Sequence, residues 1–471
     1  MEYFVFLPGI MGSHLNVPDH AAQDAGKPVW PPTFFEVAFT GYQRFHLLVR
    51  SDLEAPEIIG NVSICDFYGG ILGDLDRVAA ARTADANLQD AMVIRFPYDW
   101  RLDLRVTAQM LSARLNQIVQ DDPSAQFTLI CHSMGGLLGR YLLESGDFAG
   151  ADWNEPTRLN RLIAIATPHD GAPLALDRIL GNDETLGITG AQFAQFAAMT
   201  EFPSGYQLVP GEDAAFVRDE TEGVAVSRSI NPFGEDFVQT FGLQPDNIAA
   251  NRALRGGLNL TNAPCDYVFF AGTGQETKNG MRRIGISAEA VVDQTGGDET
   301  VPSYSASTHR VATRYVKATH IGILQNLAVR RTLFQLLGAP RDVRPVAATG
   351  AETGAAPIED ISVPTEPVMA SPTNGDEPES MVRLTINLRD STSLFNDRLR
   401  FDPVVDPEAP PAERIEEARR EEHDILYEGP DLDSLTISVP APKRAGIYTV
   451  SFANSTADNP TSPRIMVRRR S

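Results

Sequence analysis

The chain has 471 residues, 42% hydrophobic and 22% charged, with 37 Gly and 33 Pro, a composition that excludes a wholly disordered or fibrous protein. Its length allows two or three domains of roughly 150 residues each. With 62 acidic against 40 basic side chains the formal net charge is −22, a field that disfavours nucleic acid as a partner; a lipid is not excluded, because salt screens the repulsion beyond about 10 Å.

The chain enters an apolar run at residues 3–7 with no basic segment before it and no small-residue cleavage site after it, which reads as a strand and not as a signal peptide. No stretch reaches the 18 or so apolar residues of a membrane span. The expectation is a cytoplasmic protein with, at most, peripheral membrane contact. Further apolar runs at residues 92–96, 127–130, 162–166 and 267–271 are separated by stretches long enough for helices, the pattern of buried parallel strands with helical crossovers. Within residues 102–119, Val106, Met110, Leu111, Leu115 and Ile118 recur at the spacing of one helix face. Residues 345–380 hold six prolines and seven acids with no lysine or arginine, so an extended acidic linker is expected there. Beyond it, Leu384, Ile386 and Leu388, then Leu435, Ile437 and Val439, then Tyr448, Val450 and Phe452 alternate as half-buried strands do. A helix from Pro411 to about His423 is expected to interrupt them, and a basic tail begins at Arg464. The domain expectation is one large α/β domain over residues 1–342, the linker at 345–380, and a small β-rich, sandwich-like domain at 381–471.

The strongest chemical signal is Phe127-Thr128-Leu129-Ile130-Cys131-His132-Ser133-Met134-Gly135-Gly136. An apolar strand runs into a serine among small residues and continues as a helix, the context of a nucleophile elbow, although Cys131 stands where the usual pattern has glycine. The bland alternative is a structural serine at a strand-to-helix turn. Two later segments supply partners in the order Ser, Asp, His: Gly296-Gly297-Asp298-Glu299-Thr300-Val301-Pro302, and Lys317-Ala318-Thr319-His320. Asp298 would orient His320, and His320 would shuttle the Ser133 proton; Asp293 and His309 are rivals for those two roles. The loop Pro8-Gly9-Ile10-Met11-Gly12-Ser13 can lend the Ile10 N–H to an oxyanion hole, with Met134 supplying the second donor. It lacks the G-K-[ST] of a phosphate cradle. His14, His20 and His46 show no metal-ligand spacing, and neither a metal nor another cofactor is expected. Asp99 precedes Ser133, against the expected order, and is read as an ion-pair partner of Arg101.

Taken together, Leu7-Pro8-Gly9-Ile10-Met11-Gly12-Ser13, Pro97-Tyr98-Asp99-Trp100-Arg101, His132-Ser133-Met134-Gly135-Gly136, Ala166-Thr167-Pro168-His169-Asp170-Gly171-Ala172-Pro173, Phe202-Pro203-Ser204-Gly205-Tyr206-Gln207-Leu208, Gly297-Asp298-Glu299-Thr300-Val301-Pro302 and His320 resemble the lecithin:cholesterol acyltransferase-like lipases. The resemblance implies an α/β-hydrolase fold with cap insertions, here near residues 14–66 and 174–259, a Ser-Asp-His triad, an oxyanion N–H at Ile10, and acyl-ester chemistry on lipids by hydrolysis or transfer to an alcohol. The early insertion has only Cys65, so the lid disulfide of secreted animal relatives is not expected. Its Trp30, Phe34 and Phe35, with Phe39 and Tyr42, suit an acyl-chain wall or an interfacial contact; a cap packed on its own core is the alternative. Phe193 and Phe196 are further candidates to line a lid. A contrasting function is a catalytically inactive hydrolase scaffold that binds a partner through its C-terminal β domain; that partner is not specified by the sequence.

Overall fold

The apolar run near the N-terminus is β1 (Glu2–Leu7), buried along its whole length. It lies between β2 (Ala91–Arg95) and β3 (Gln126–His132), and β3 also pairs with β4 (Leu159–Ile165), all in parallel. Strands covered on both faces have no solvent side to mark with polar residues, which is why β1, β3 and β4 read as apolar runs. Helices α1 (Gly69–Ala84), α2 (Leu104–Asp121) and α3 (Met134–Glu144) make the crossovers. Asp103 caps α2 by accepting the Arg105 backbone N–H. The buried face of α2 is Leu104, Ala108, Leu111, Leu115, Ile118 and Val119. Val106 and Met110, assigned to that face from their spacing, are 46% and 52% exposed. They are four residues apart and so share a stripe, but at about 100° per residue it is not the stripe set by Leu104, Ala108 and Leu111.

The computed structural model describes residues 1–62, 65–221, 228–308, 310–345, 358–371, 380–404, 419–454 and 463–468. The chain forms two compact units: Met1–Val268 with Lys278–Val291 and Phe334–Val346, and Phe269–Thr277 with Val292–Leu333 and Ala347–Ser471. In the first unit the later insertion, with Leu176, Tyr206, Val209, Val217 and Phe237 buried, shares a hydrophobic cluster with Met281 and Ala288. Among the described residues no helix is long and apolar enough to cross a membrane.

The fifth apolar run is β5 (Asp266–Thr273), and the stretch between it and Asp298 carries the strands β6 (Gln275–Ile284) and β7 (Ser287–Gly297). In the second unit β5 pairs in parallel with β8 (Thr313–Lys317) from Phe269 onward. The acidic stretch read as a linker contributes two short strands, β9 (Ile358–Ser362) and β10 (Val368–Met369). The long strands β11 (Met381–Pro403) and β12 (Glu421–Pro440) pair antiparallel, followed by β13 (Gly446–Phe452) and β14 (Arg464–Arg468). β11 pairs β9 over its first part and β13 over its last; β13 pairs β14, and β14 pairs β10. All nine alternating residues from Leu384 to Phe452 are buried in one cluster. Residues 421–423 are strand and not helix, because Phe401, Arg400 and Leu399 of β11 pair directly with Glu421, Glu422 and His423. The expected helix start at residues 411–418 lies outside the described residues. The C-terminal strands are not a detached module, since β12 pairs in parallel with β8 through Arg314 and Asp424, Tyr315 and Ile425, and Val316 and Leu426. Parallel strands with helical crossovers and a strand–serine–helix turn make this an α/β-hydrolase fold with a C-terminal β-rich region.

Candidate active site

Ser133 stands between β3 and α3 with φ 53° and ψ −127°, a left-handed backbone that costs a side-chain-bearing residue about 1–3 kcal/mol. The surroundings hold it there. Its N–H donates to Ile165 O at 2.9 Å, and its carbonyl accepts the Gly136 N–H at 2.9 Å. A Cβ on Gly135 would lie 2.4 Å from Leu7 O, and one on Gly136 would lie 1.9 Å from Thr167 Oγ1, so the first turn of α3 accepts no side chain at either position. That close seating brings the positive end of α3 to the serine. Cys131 is fully buried, and burial pushes its thiol up, which leaves it a packing group without nucleophilic character.

The loop after β1 lies against the serine. A Cβ on Gly9 would meet Ser133 Cβ at 2.8 Å and Ser133 Oγ at 3.3 Å. The Gly9 N–H donates to the Tyr68 hydroxyl at 2.9 Å, and that hydroxyl lies 2.9 Å from His132 Nδ1. The Tyr98 hydroxyl donates to Pro8 O at 2.7 Å, and the Trp30 indole donates to Met11 O at 2.8 Å, where Met11 has φ 62°. Burial pushes both phenols well above their ordinary value, so they act as neutral hydrogen-bonding posts. The sequence does not single out Tyr68. Its segment Phe67-Tyr68-Gly69-Gly70 looks like any aromatic ahead of a helix, and only the fold brings it to Gly9.

In the second unit Asp298 is fully buried, with Oδ2 2.9 Å from His320 Nδ1. Its other oxygen accepts the Thr300 N–H at 3.1 Å and the Val301 N–H at 2.7 Å. A Cβ on Gly272 of β5 would lie 2.4 Å from Asp298 Cβ, so that glycine leaves the space the aspartate occupies. The rival Asp293 accepts the Thr295 N–H at 3.0 Å and pairs with Arg383; His309 lies outside the described residues. Glu299, at φ 81°, donates its N–H to Thr277 Oγ1 at 2.9 Å. Its carboxyl is pushed up by burial and by the Asp298 charge, with His320 opposing.

The aromatic candidates divide. Phe34, Phe35 and Phe39 are 63%, 61% and 72% exposed, and Phe39 contacts both of the others at ring distances of 6.5 and 5.4 Å. Within the ridge segment Glu36 accepts from Thr33 and from Arg44, while Arg44 also donates to Pro28 O and Pro31 O. Trp30 is buried, edge-on to Tyr42 and Trp100, and supports the Met11 loop from behind instead of facing outward. Phe196 stacks on Phe202 at 5.1 Å, and Phe193 lies under the Arg178 guanidinium at 5.5 Å. Asp99 and Arg101 form the expected ion pair, with Arg101 also donating to Leu48 O and Arg50 O.

The lecithin:cholesterol acyltransferase family model matches residues 87–263. The matched stretch holds β2, β3, Ser133, α3 and β4; the loop at residues 8–13, Asp298 and His320 lie outside it. No curated relative is matched by the sequence. Among solved structures the chain is similar to the Tle4-Tli4 complex at 12% identity, covering 72% of this chain and 97% of that one with a TM-score of 0.49. It is also similar to the Bacillus licheniformis lipase BlEst2 in propeptide form, at 15% identity over 94% of this chain and 72% of that one, TM-score 0.33. A third is the RedJ thioesterase of the prodiginine pathway in Streptomyces coelicolor, at 11% identity over 72% and 85%, TM-score 0.28.

Proposed function

We propose that the protein is a serine lipid acyl hydrolase or acyltransferase that works through an acyl-Ser133 intermediate. The observation that carries this reading is Ser133 itself, kept at φ 53° on a strand-to-helix turn with the glycine backbone of the β1 loop against its Oγ. Such strain persists where the surrounding structure enforces it, and it serves to present a nucleophile. The Asp298–His320 pair supports the same reading. With Nδ1 held by Asp298, His320 exchanges protons through Nε2. It takes the Ser133 proton as Oγ attacks the ester carbonyl and returns it to the departing alcohol. The oxyanion is met by the N–H of Met134, at the head of α3, and by that of Ile10, since the Gly9 N–H is committed to Tyr68. Water then releases the acid, or an alcohol takes the acyl group. The exposed Phe34, Phe35 and Phe39 ridge supports peripheral contact with a lipid surface.

The test is kinetic. Ser133→Ala should lower ester turnover by several orders of magnitude, and a fluorophosphonate should label the wild type at Ser133 and not the variant. Turnover near the wild-type level in that variant would remove the reading.

A further inference from the structure

We propose that the C-terminal β-rich region is a working part of the acyl-transfer site, with Ser438 of β12 a positioning residue for the segment that carries Asp298. The proposal rests on the serine-enzyme reading above. β12 is the sheet neighbour of β8, the strand that leads into His320, through Arg314 and Asp424, Tyr315 and Ile425, and Val316 and Leu426. At its far end Ser438, 3% exposed, joins two other strands. Its N–H donates to Thr273 Oγ1 at 2.8 Å, and that hydroxyl donates to Ser438 O at 3.1 Å. Its own hydroxyl donates to Thr295 O at 3.1 Å. Thr273 follows Gly272, the residue whose missing side chain leaves room for Asp298. Thr295 lies three residues before Asp298 on β7. One serine therefore ties the strand beneath the carboxylate to the strand that delivers it.

Neighbouring contacts act in the same direction. Gly274, at φ 76°, donates its N–H to Thr295 O at 3.2 Å, and a Cβ there would lie 2.5 Å from Thr436 O, so the turn after β5 is seated directly on the β12 backbone. Arg383 of β11 pairs with Asp293. Beyond His320, Asn326 donates to Glu428 O at 3.2 Å, and Arg331 pairs with Glu428 at 3.0 Å. A binding module that merely rode on an enzyme would touch it along an exposed rim. Here the Ser438–Thr273 bonds are buried and reach the backbone, and the contacts centre on the approaches to an Asp–His pair, whose function tolerates only about 0.5 Å of misplacement.

Ser438→Ala removes the bond to Thr295 O and leaves both bonds to Thr273 in place. The expected result is a fall of about tenfold in kcat on a soluble p-nitrophenyl ester, with KM within about twofold, and an equal slowing of fluorophosphonate labelling at Ser133. Ser438→Thr, which keeps the hydroxyl on a strand-favouring residue, should restore both. The control is Thr385→Val, which breaks the 3.1 Å Thr385–Thr436 hydroxyl pair on the same two long strands; it should alter thermal stability without slowing labelling. Labelling of Ser438→Ala at the wild-type rate, or equal slowing in Thr385→Val, would overturn the positioning role while the serine-enzyme reading stands. Failure of the wild type to label at Ser133 would overturn that reading and the inference with it.

Discussion

The contact between the β1 loop and the serine makes Gly9→Ala a sharp probe. An alanine Cβ would sit 2.8 Å from Ser133 Cβ and 3.3 Å from both Ser133 Oγ and His132 Nδ1. Carbon atoms rest at about 3.5–4.0 Å, so the pair must separate by roughly 1 Å. Ser133 cannot supply that movement, because its Cβ is fixed by a backbone bonded to Ile165 O and by an α3 turn packed on Leu7 and Thr167. The loop must move instead, straining the Gly9–Tyr68 and Pro8–Tyr98 hydrogen bonds and carrying the Ile10 N–H away from the oxyanion position proposed for it. Loss of one oxyanion donor costs about 10²–10³ in kcat, and overpacking costs about 1–3 kcal/mol of stability. The assay is kcat and KM on p-nitrophenyl butyrate together with thermal unfolding. Gly73→Ala, in the interior of α1 with no atom beyond its own helix backbone within 4 Å of the new Cβ, is the control and should gain about 1 kcal/mol without a kinetic effect. If Gly9→Ala turned over within about threefold of wild type at an unchanged melting temperature, the packing argument and the oxyanion role of this loop would both be wrong.

Two further outcomes follow from the first insertion. Replacing Phe34, Phe35 and Phe39 together by serine should weaken cosedimentation with phosphatidylcholine vesicles by at least about tenfold, since one buried Phe contributes about 1.5–3 kcal/mol; unchanged cosedimentation would count against lipid contact at this ridge. Burial alone would raise the Glu36 carboxyl, but the Arg44 guanidinium and the Thr33 donors outweigh it and hold the group at about 2, against an ordinary 4.5. A folded-state value below the unfolded one adds stability that is complete above the ordinary carboxylate range and is lost as the pH falls toward 2. Glu36→Gln should therefore reduce stability at pH 7 and flatten its pH dependence between about 5 and 2, measured by thermal unfolding; an unaltered slope would show that Glu36 is not the group responsible.

Several features were legible because their causes are local. A parallel strand buried on both faces needs an unbroken apolar run, and residues 3–7, 127–130 and 162–166 supply one. A strained serine at a strand-to-helix turn needs neighbours without side chains, and Gly135 and Gly136 are visible as such in the sequence, whereas the atoms that exclude a Cβ there, Leu7 O and Thr167 Oγ1, are not. The alternation of Leu384, Ile386 and Leu388 announced a strand with one buried face, but not which strand lies beside it. Similarly, the spacing of Val106 and Met110 fits a helix stripe without saying which stripe meets the sheet.

By itself, the sequence determined the apolar-run strands, the helix at residues 104–121 and the strand-to-helix turn at Ser133, because each depends on neighbours within a few residues, and it carries the order of the Ser133, Asp298 and His320 segments and the charge balance outright. Tertiary structure alone decided which distant groups meet. It set Tyr68 against Gly9, turned Trp30 inward to hold Met11 O, made strand of residues 421–423, and joined β12 to the strand before His320. Those choices rest on pairing between segments distant along the chain, in which a hydrogen bond or a buried surface is gained only once the two have been brought together, and no local pattern records the partner.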